Sequence, residues 1–289
     1  LRRSSEDRLE PSAYLRRAGW FQEAEFVWTR VRSHAVEPLP ESGDSLLVQT
    51  RVDDLVYFDT ETTGLSGGSG TMVFLVGFGR LFGPTLVVEQ VFLEDYPGEP
   101  DFLRYLSTRI PSDASFVSYN GKAFDSHVLS MRHLMNGLHF SVPNQIDLLY
   151  PTRRLWKTML ESCSLGDIEE HVLEITRELD IPGYLIPDTY FEYLRSGDAE
   201  SLAAVFEHHR EDIVSLHRLL VRIEALAADP FAFAADRLQL ARLLVARFPE
   251  RGEALLRQLA AEDGRAALEL GFHLKRQRRG DEAFEVFSR

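Results

Sequence analysis

Two carboxylates, Asp59 and Glu61, stand one residue apart where the apolar run Leu55-Val56-Tyr57-Phe58 gives way to Thr62-Thr63-Gly64. The run reads as a buried strand, and in a strand residues i and i+2 project to one face. The two acids therefore lie side by side at a strand end. Like charges held that close and partly out of water repel, and a compensating cation relieves them. A hard divalent ion with oxygen ligands, Mg²⁺ or Mn²⁺, meets that need. The pair thus points to a metal site for phosphodiester chemistry, with further ligands supplied from elsewhere in the chain.

Two other segments offer them. Tyr119-Asn120-Gly121-Lys122-Ala123-Phe124-Asp125 places Asp125 at the start of a helix that follows a short strand. His208-His209-Arg210-Glu211-Asp212 falls on a long helix, where residues four apart share a face, so His208 and Asp212 point the same way. His208 is either a base for an attacking water or a helix-surface or metal-shell histidine. His209, about 100° round the helix, is expected to meet substrate instead. Asn120 is read as orienting a ligand carboxylate, or as a turn residue; Lys122 as a phosphate contact, or as a solvated lysine. Thr62 either holds a terminal nucleotide or closes a turn. Asp147 is either a supporting acid or a helix cap.

These residues need a scaffold, and the pattern supplies one. Residues 46–93 read as strands: 55–59, Met72 to Arg80 and Thr85 to Leu93, the last two joined by a hairpin at Phe82-Gly83-Pro84. Helices are expected at Pro100 to Arg109, after Asp125 through Met135, around the basic Arg153, Arg154 and Lys157, after Ser164, and from about Asp198 to Ala227. Short strands are expected at 115–118 and 145–149. Strands in hairpins, then strands alternating with helices, indicate a mixed α/β sheet. Tyr14, Ala18, Phe21, Ala24 and Trp28 recur at helical spacing, so residues 1–45 are expected to be a helical segment and linker. The stretch holding Pro182 and Pro187 is expected to be irregular. Gly64 to Gly70 is expected to be a mobile turn beside the metal site; it lacks the Lys-Ser/Thr ending of a Walker A loop.

The chain has 289 residues, a net charge of −13 and one cysteine, Cys163. A disulfide framework and a cysteine-rich zinc site are excluded. No run of about 18 apolar residues suggests a membrane span, and a cytoplasmic setting is expected. The acidity argues against a broad sequence-blind grip on phosphate backbones, yet metal ligands account for part of it. Residues 230–289 carry 11 Lys+Arg and 9 Asp+Glu against chain totals of 32 and 45. The acidity therefore sits upstream of Asp229-Pro230, where a helical tail is expected to begin.

In order and spacing, 58–68 (Phe-Asp-Thr-Glu-Thr-Thr-Gly-Leu-Ser-Gly-Gly), the 119–125 segment and Glu207-His208-His209-Arg210-Glu211-Asp212 resemble the DEDD exonuclease motifs of the ribonuclease H-like superfamily. More closely, they resemble the bacterial YprB-type proteins, which often carry tetratricopeptide repeats. Ser162-Cys163-Ser164-Leu165-Gly166 and Asp180-Ile181-Pro182-Gly183 also fit, and the likeness covers roughly residues 50–225. It implies a ribonuclease H-like domain at 46–228 and a tetratricopeptide-like module at 229–289. That module is expected to dock on the main domain or to begin a longer array.

The resemblance also implies that Asp59, Glu61, Asp125 and Asp212 hold two divalent ions for 3′–5′ exonucleolysis of single-stranded DNA or RNA. Relatives place a His five residues, or a Tyr four residues, before the last Asp; here position 207 is Glu and position 208 is His. A structure-specific endonuclease on the same fold, and a weakly catalytic scaffold whose repeats recruit a protein partner, are the alternatives.

Overall fold

The computed structural model describes residues 10–40, 43–64, 70–111, 113–177 and 180–288. The chain enters through helix α1 (Pro11–Arg17) and a hairpin of β1 (Phe21–Ala24) and β2 (Val27–Ala35). Strands β3 (Leu55–Thr62), β4 (Val73–Phe82) and β5 (Thr85–Leu93) follow as an antiparallel meander. Helix α2 (Glu99–Arg109) leads to β6 (Ser115–Ser118), and α3 (Asp125–Met135) to β7 (Asn144–Asp147). The sheet order is β1-β2-β5-β4-β3-β6-β7, with β3, β6 and β7 parallel. Then come α4 (Leu149–Trp156), α5 (Leu165–Ile168), α6 (Ile186–Ser196) and the 26-residue α7 (Ala203–Ala228). This is the mixed sheet flanked by helices expected of a ribonuclease H-like fold.

Helices cover both sheet faces. On β3, Leu55 and Tyr57 join the apolar core under α7 and the C-terminal helices. Val56 and Phe58 join the opposite core, with α2, α3 and α6. The strand is buried on both faces along these four residues, which explains its unbroken apolar run.

Three expectations fail locally. The helix expected over Tyr14 to Trp28 ends at Arg17; Gly19 takes φ +83° and Phe26, at the hairpin turn, φ +62°. The helical spacing of Phe21, Ala24 and Trp28 is overridden because β2 pairs with β5 along its whole length, from Val27↔Leu93 to Ala35↔Thr85. The described part of the N-terminal segment thus holds more strand than helix and extends the sheet. The stretch around Pro187 is helical: Pro187 sits in the first turn of α6, where its missing N–H leaves nothing unsatisfied. The strand expected over 145–149 stops at Asp147, whose carboxylate accepts from the Leu149 amide and helps to open α4.

Four C-terminal helices, α8 (Arg237–Arg247), α9 (Pro249–Leu259), α10 (Gly264–Arg276) and α11 (Gly280–Phe287), complete the described chain. They dock on the main domain. Leu240, Leu244, Leu256 and Leu270 share a core with Ile223 and Leu226 of α7. The Trp156 indole donates to the Ala234 carbonyl at 2.8 Å, and the Asp236 amide to the Leu155 carbonyl at 2.8 Å. Among the described residues no helix is long and apolar enough to cross a membrane.

One packing constraint positions everything that follows. Strand β4 presents Gly77 opposite Asp59 and Gly79 opposite Tyr57. A methyl group on Gly77 would lie 2.0 Å from Ile213 Cδ1 and 2.6 Å from His209 Cε1; one on Gly79 would lie 2.8 Å from Ile213 Cγ2. Two alternate glycines therefore let α7 lie directly on the sheet. Gly77→Ala is expected to cost about 1–3 kcal/mol through overpacking. Gly264→Ala, whose added methyl meets nothing within 4 Å, should stay within about 0.5 kcal/mol. Urea unfolding of the two variants decides the point; equal midpoints would refute the close approach.

Candidate functional site

Asp59 and Glu61 continue the Leu55–Tyr57 face of β3 toward α7, where Asp212 meets them. Asp125 arrives from the N-terminus of α3. Thr60, on the other face of β3, donates its hydroxyl to Asp125 Oδ1 and ties α3 to the strand. The turn before α3 is itself fixed. Asn120 is left-handed (φ +64°), and Gly121 packs where a side chain would strike Ser118. Asp147 accepts from the amides of Asn120 (2.8 Å) and Lys122 (3.2 Å).

The four acids are close enough to disturb one another. Burial raises Asp59 well above the usual carboxylate range, and the charges of Asp212, Asp125 and Glu61 push it further. Glu61 is raised well above that range by burial and by Asp212 and Asp125, with Arg177 opposing. Burial pushes Asp125 up to about 6 against the Thr60 hydrogen bond. Ligand atoms of Glu61, His208 and Asp212 lie within 4.8 Å of one another. A nearly all-oxygen donor set carrying this much unneutralised charge fits a hard divalent cation.

A hydrogen-bonded relay crosses the sheet behind the acids. Arg30 of β2, Gln90 of β5, Gly77 of β4 and Asp59 of β3 occupy one register row. The Arg30 guanidinium donates to Gln90 Oε1 at 2.8 and 3.2 Å. That fixes the amide, whose Nε2 donates to the Phe206 carbonyl at 2.8 Å and to His209 Nδ1 at 3.0 Å. With Nδ1 accepting, His209 is assigned the Nε2–H tautomer and donates to the Asp59 carbonyl at 3.2 Å. Burial lowers its pKa to about 4, so it is neutral at physiological pH. His209 is fully buried, which corrects the expectation that it meets substrate: it pins α7 to the strand carrying the acids. Two turns on, His217 repeats the device, bridging the Tyr57 hydroxyl (2.7 Å) and the Glu37 carbonyl (2.8 Å).

His208 faces the acids. Its Nε2 lies 3.4 Å from Asp212 Oδ2, and its Nδ1 lies 2.6 Å from Asp180 Oδ1. Arg177 Nη1 also lies 3.0 Å from Nδ1, so Asp180 and Arg177 together anchor the ring at Nδ1 and turn Nε2 toward the cluster.

The most consequential residue that sequence reasoning missed is Arg177. Its Nε and Nη2 donate to both oxygens of Glu169, at 2.7 and 2.6 Å, and Nη2 also donates to Asp212 Oδ1. Nothing in its surroundings marks it in the sequence. Gln90, Thr60 and Glu169 were missed for the same reason, whereas the alternate Gly77 and Gly79 in an apolar strand were a readable sign of close approach.

Of the three residues expected to bind substrate, two share one turn and the third ends β3. Thr62, the last residue of β3, is buried past a bulge and donates its hydroxyl to the Gly64 carbonyl. Asn120 and Lys122 are exposed on the turn beside Asp125. Residues 65–69 of the glycine-rich loop lie outside the described residues.

A family model described as RNase_H superfamily matches residues 56–224, more than half of the chain. The chain is also 32% identical over 248 residues to the Uncharacterized protein YprB of Bacillus subtilis (strain 168); the match covers 82% of the chain and 60% of that relative. The chain thus spans less than two thirds of the relative's length.

A raised carboxyl pKa reverses the usual linkage: the folded state holds its protons longer, so stability falls as pH rises from about 4 through the folded-state value. Asp59→Asn is therefore expected to stabilise the metal-free protein at pH 8 by on the order of 1 kcal/mol, read as a higher melting temperature. The gain should shrink toward zero at pH 4. A variant that melts lower than the parent at pH 8 would contradict the crowded-carboxylate geometry.

Proposed function

Because the chain belongs to the RNase H superfamily, we propose that it is a divalent-metal-dependent nuclease that removes nucleotides from the 3′ end of a single strand. The observation that carries this reading is the convergence of Asp59, Glu61, Asp125 and Asp212, from three separate elements, in a cluster that repels itself. On this reading the four acids hold two Mg²⁺ or Mn²⁺ ions, which when bound supply Lewis-acid stabilisation of the phosphoryl oxygens and acidify a water. The protein's own residues do the rest. His208, oriented by Asp180, offers Nε2 to a water proton on the open side of the cluster. His209 and Arg30, through Gln90, hold the Asp59 backbone still.

Cations without a carboxylate partner among the described residues support a path for the strand. Lys122 lines an open cleft of about 480 Å³ beside Asp125, together with Ser126, His127 and Gln145. Tyr150, Arg153, Arg154 and Lys157 share the solvent face that α4 continues into its C-cap, at i, i+3, i+4 and i+7. In a chain of net charge −13 this is a strip suited to phosphates and a stacked base. The C-terminal helices, read as tetratricopeptide-like, expose Leu268, Phe272, Phe284 and Phe287, which supports a protein partner on that side. The single cysteine supports a cytoplasmic setting.

Cleavage of end-labelled single-stranded DNA and RNA with Mn²⁺ or Mg²⁺ is the test. Stepwise laddering, lost with EDTA and in Asp59→Ala, is expected; cutting of circular substrates instead would establish an endonuclease. His208→Ala should lower kcat by about 10²-fold or more if the residue is the base. Neutralising Arg153, Arg154 and Lys157 together with Gln should raise KM, leave kcat unchanged, and reduce the salt slope of binding by about 2, at ~0.7 per single-strand phosphate contact. An unchanged slope would remove α4 from the strand path.

A further inference from the structure

Arg177 is the ionised partner on which the carboxylate cluster closes. Its side chain is 8% exposed and that of Glu169 only 3%. Glu169 holds two donors of the guanidinium at once, so the pair is a rigid fork rather than a mobile arm. The same Nη2 donates to Asp212 Oδ1. On the cluster side, Asp212 is left with Oδ2, which lies 3.4 Å from His208 Nε2. The neighbouring backbone keeps the fork in place: Glu174 turns the chain in the left-handed region (φ +58°), and the Ile175 amide donates to the Glu169 carbonyl at 2.8 Å. Asp180, three residues beyond Arg177, takes His208 Nδ1 at 2.6 Å and lies 3.5 Å from Arg177 Nη1. One guanidinium therefore bears on both α7 residues that face the site.

We propose that Arg177 is a positioning residue that acts as a resident cation: held by Glu169, it keeps one oxygen of Asp212 and restricts the substrate-free protein to a single divalent ion. The inference rests on the metal reading of the four acids. Two dications placed beside a fixed guanidinium would add to its positive charge in a buried site, and Asp212 has one oxygen rather than two to share between them. Asp59, Glu61 and Asp125 keep their charges for the first ion. The second ion joins when a substrate phosphate brings its own negative charge.

The test counts Mn²⁺ on the full chain without substrate, by isothermal titration and by the electron paramagnetic resonance signal of free Mn²⁺. The parent is expected to bind one ion. Removing Arg177 alone strands the Glu169 carboxylate in the interior, so the informative variant is Arg177→Met with Glu169→Gln. It is expected to bind two ions, the second at least tenfold tighter than in the parent. Arg177→Lys keeps a cation beside Glu169 but cannot span both acids, and should fall between the two. A parent that binds two ions of similar affinity overturns the inference and leaves the nuclease reading standing. So does a folded double variant, or a folded Arg177→Lys variant, that still binds one. A parent whose Mn²⁺ binding is absent, or is unaffected by Asp59→Asn, overturns the metal reading and the inference with it.

Discussion

The close approach of α7 to strands β3 and β4 is the constraint on which the rest depends. It exists because Gly77 and Gly79 leave no side chain between helix and sheet. Ile213 fills the space directly, and His209 and His217, one turn to either side, use the short distance to bond to Asp59 and Tyr57 of β3. The helix therefore has one depth and one rotation on the sheet. With both fixed, the face carrying His208 and Asp212 can only come up beside Asp59 and Glu61. The candidate site is a by-product of how tightly a helix packs on a strand.

The same constraint explains why a site made of like charges persists. Acids whose charges bear on Asp59 and Glu61 as these do would drive apart on flexible elements. Here three are tied independently: Asp59 through its carbonyl to His209, Asp125 through Thr60, Asp212 through Arg177. Thr60 and His209 sit in the acids' own segments, whereas Arg177 comes from the stretch between α5 and α6, and the Arg30 and Gln90 that fix His209 come from β2 and β5. Buried hydrogen bonds of this kind contribute more to position than to net stability.

The division between what the sequence shows and what it hides follows from this. Asp59 and Glu61 were legible because the strand period is two, and His208 with Asp212 because the helix period is near four. Asp125 was legible from its place at a strand-to-helix junction. The fold class followed from hairpins giving way to alternating strands and helices. The N-terminal hairpin was not legible, because helical spacing of Tyr14 through Trp28 competes with pairing to β5, sixty residues away. His209 was assigned the wrong partner because 100° of helix rotation has no meaning until the sheet is in place. Arg30, Gln90 and Arg177 belong to no local pattern; only register across four strands, and the path of the chain before α6, brings them to the acids.

Anomalous diffraction from crystals of this protein soaked in Mn²⁺ tests the central claim most directly, since it locates ions without relying on turnover. The geometry predicts density among Asp59, Glu61, Asp125 and Asp212, with Asp212 contributing Oδ2 while Oδ1 stays on Arg177. Mn²⁺ bound elsewhere, or a cluster whose four carboxylates remain ion-free at saturating Mn²⁺, would contradict it.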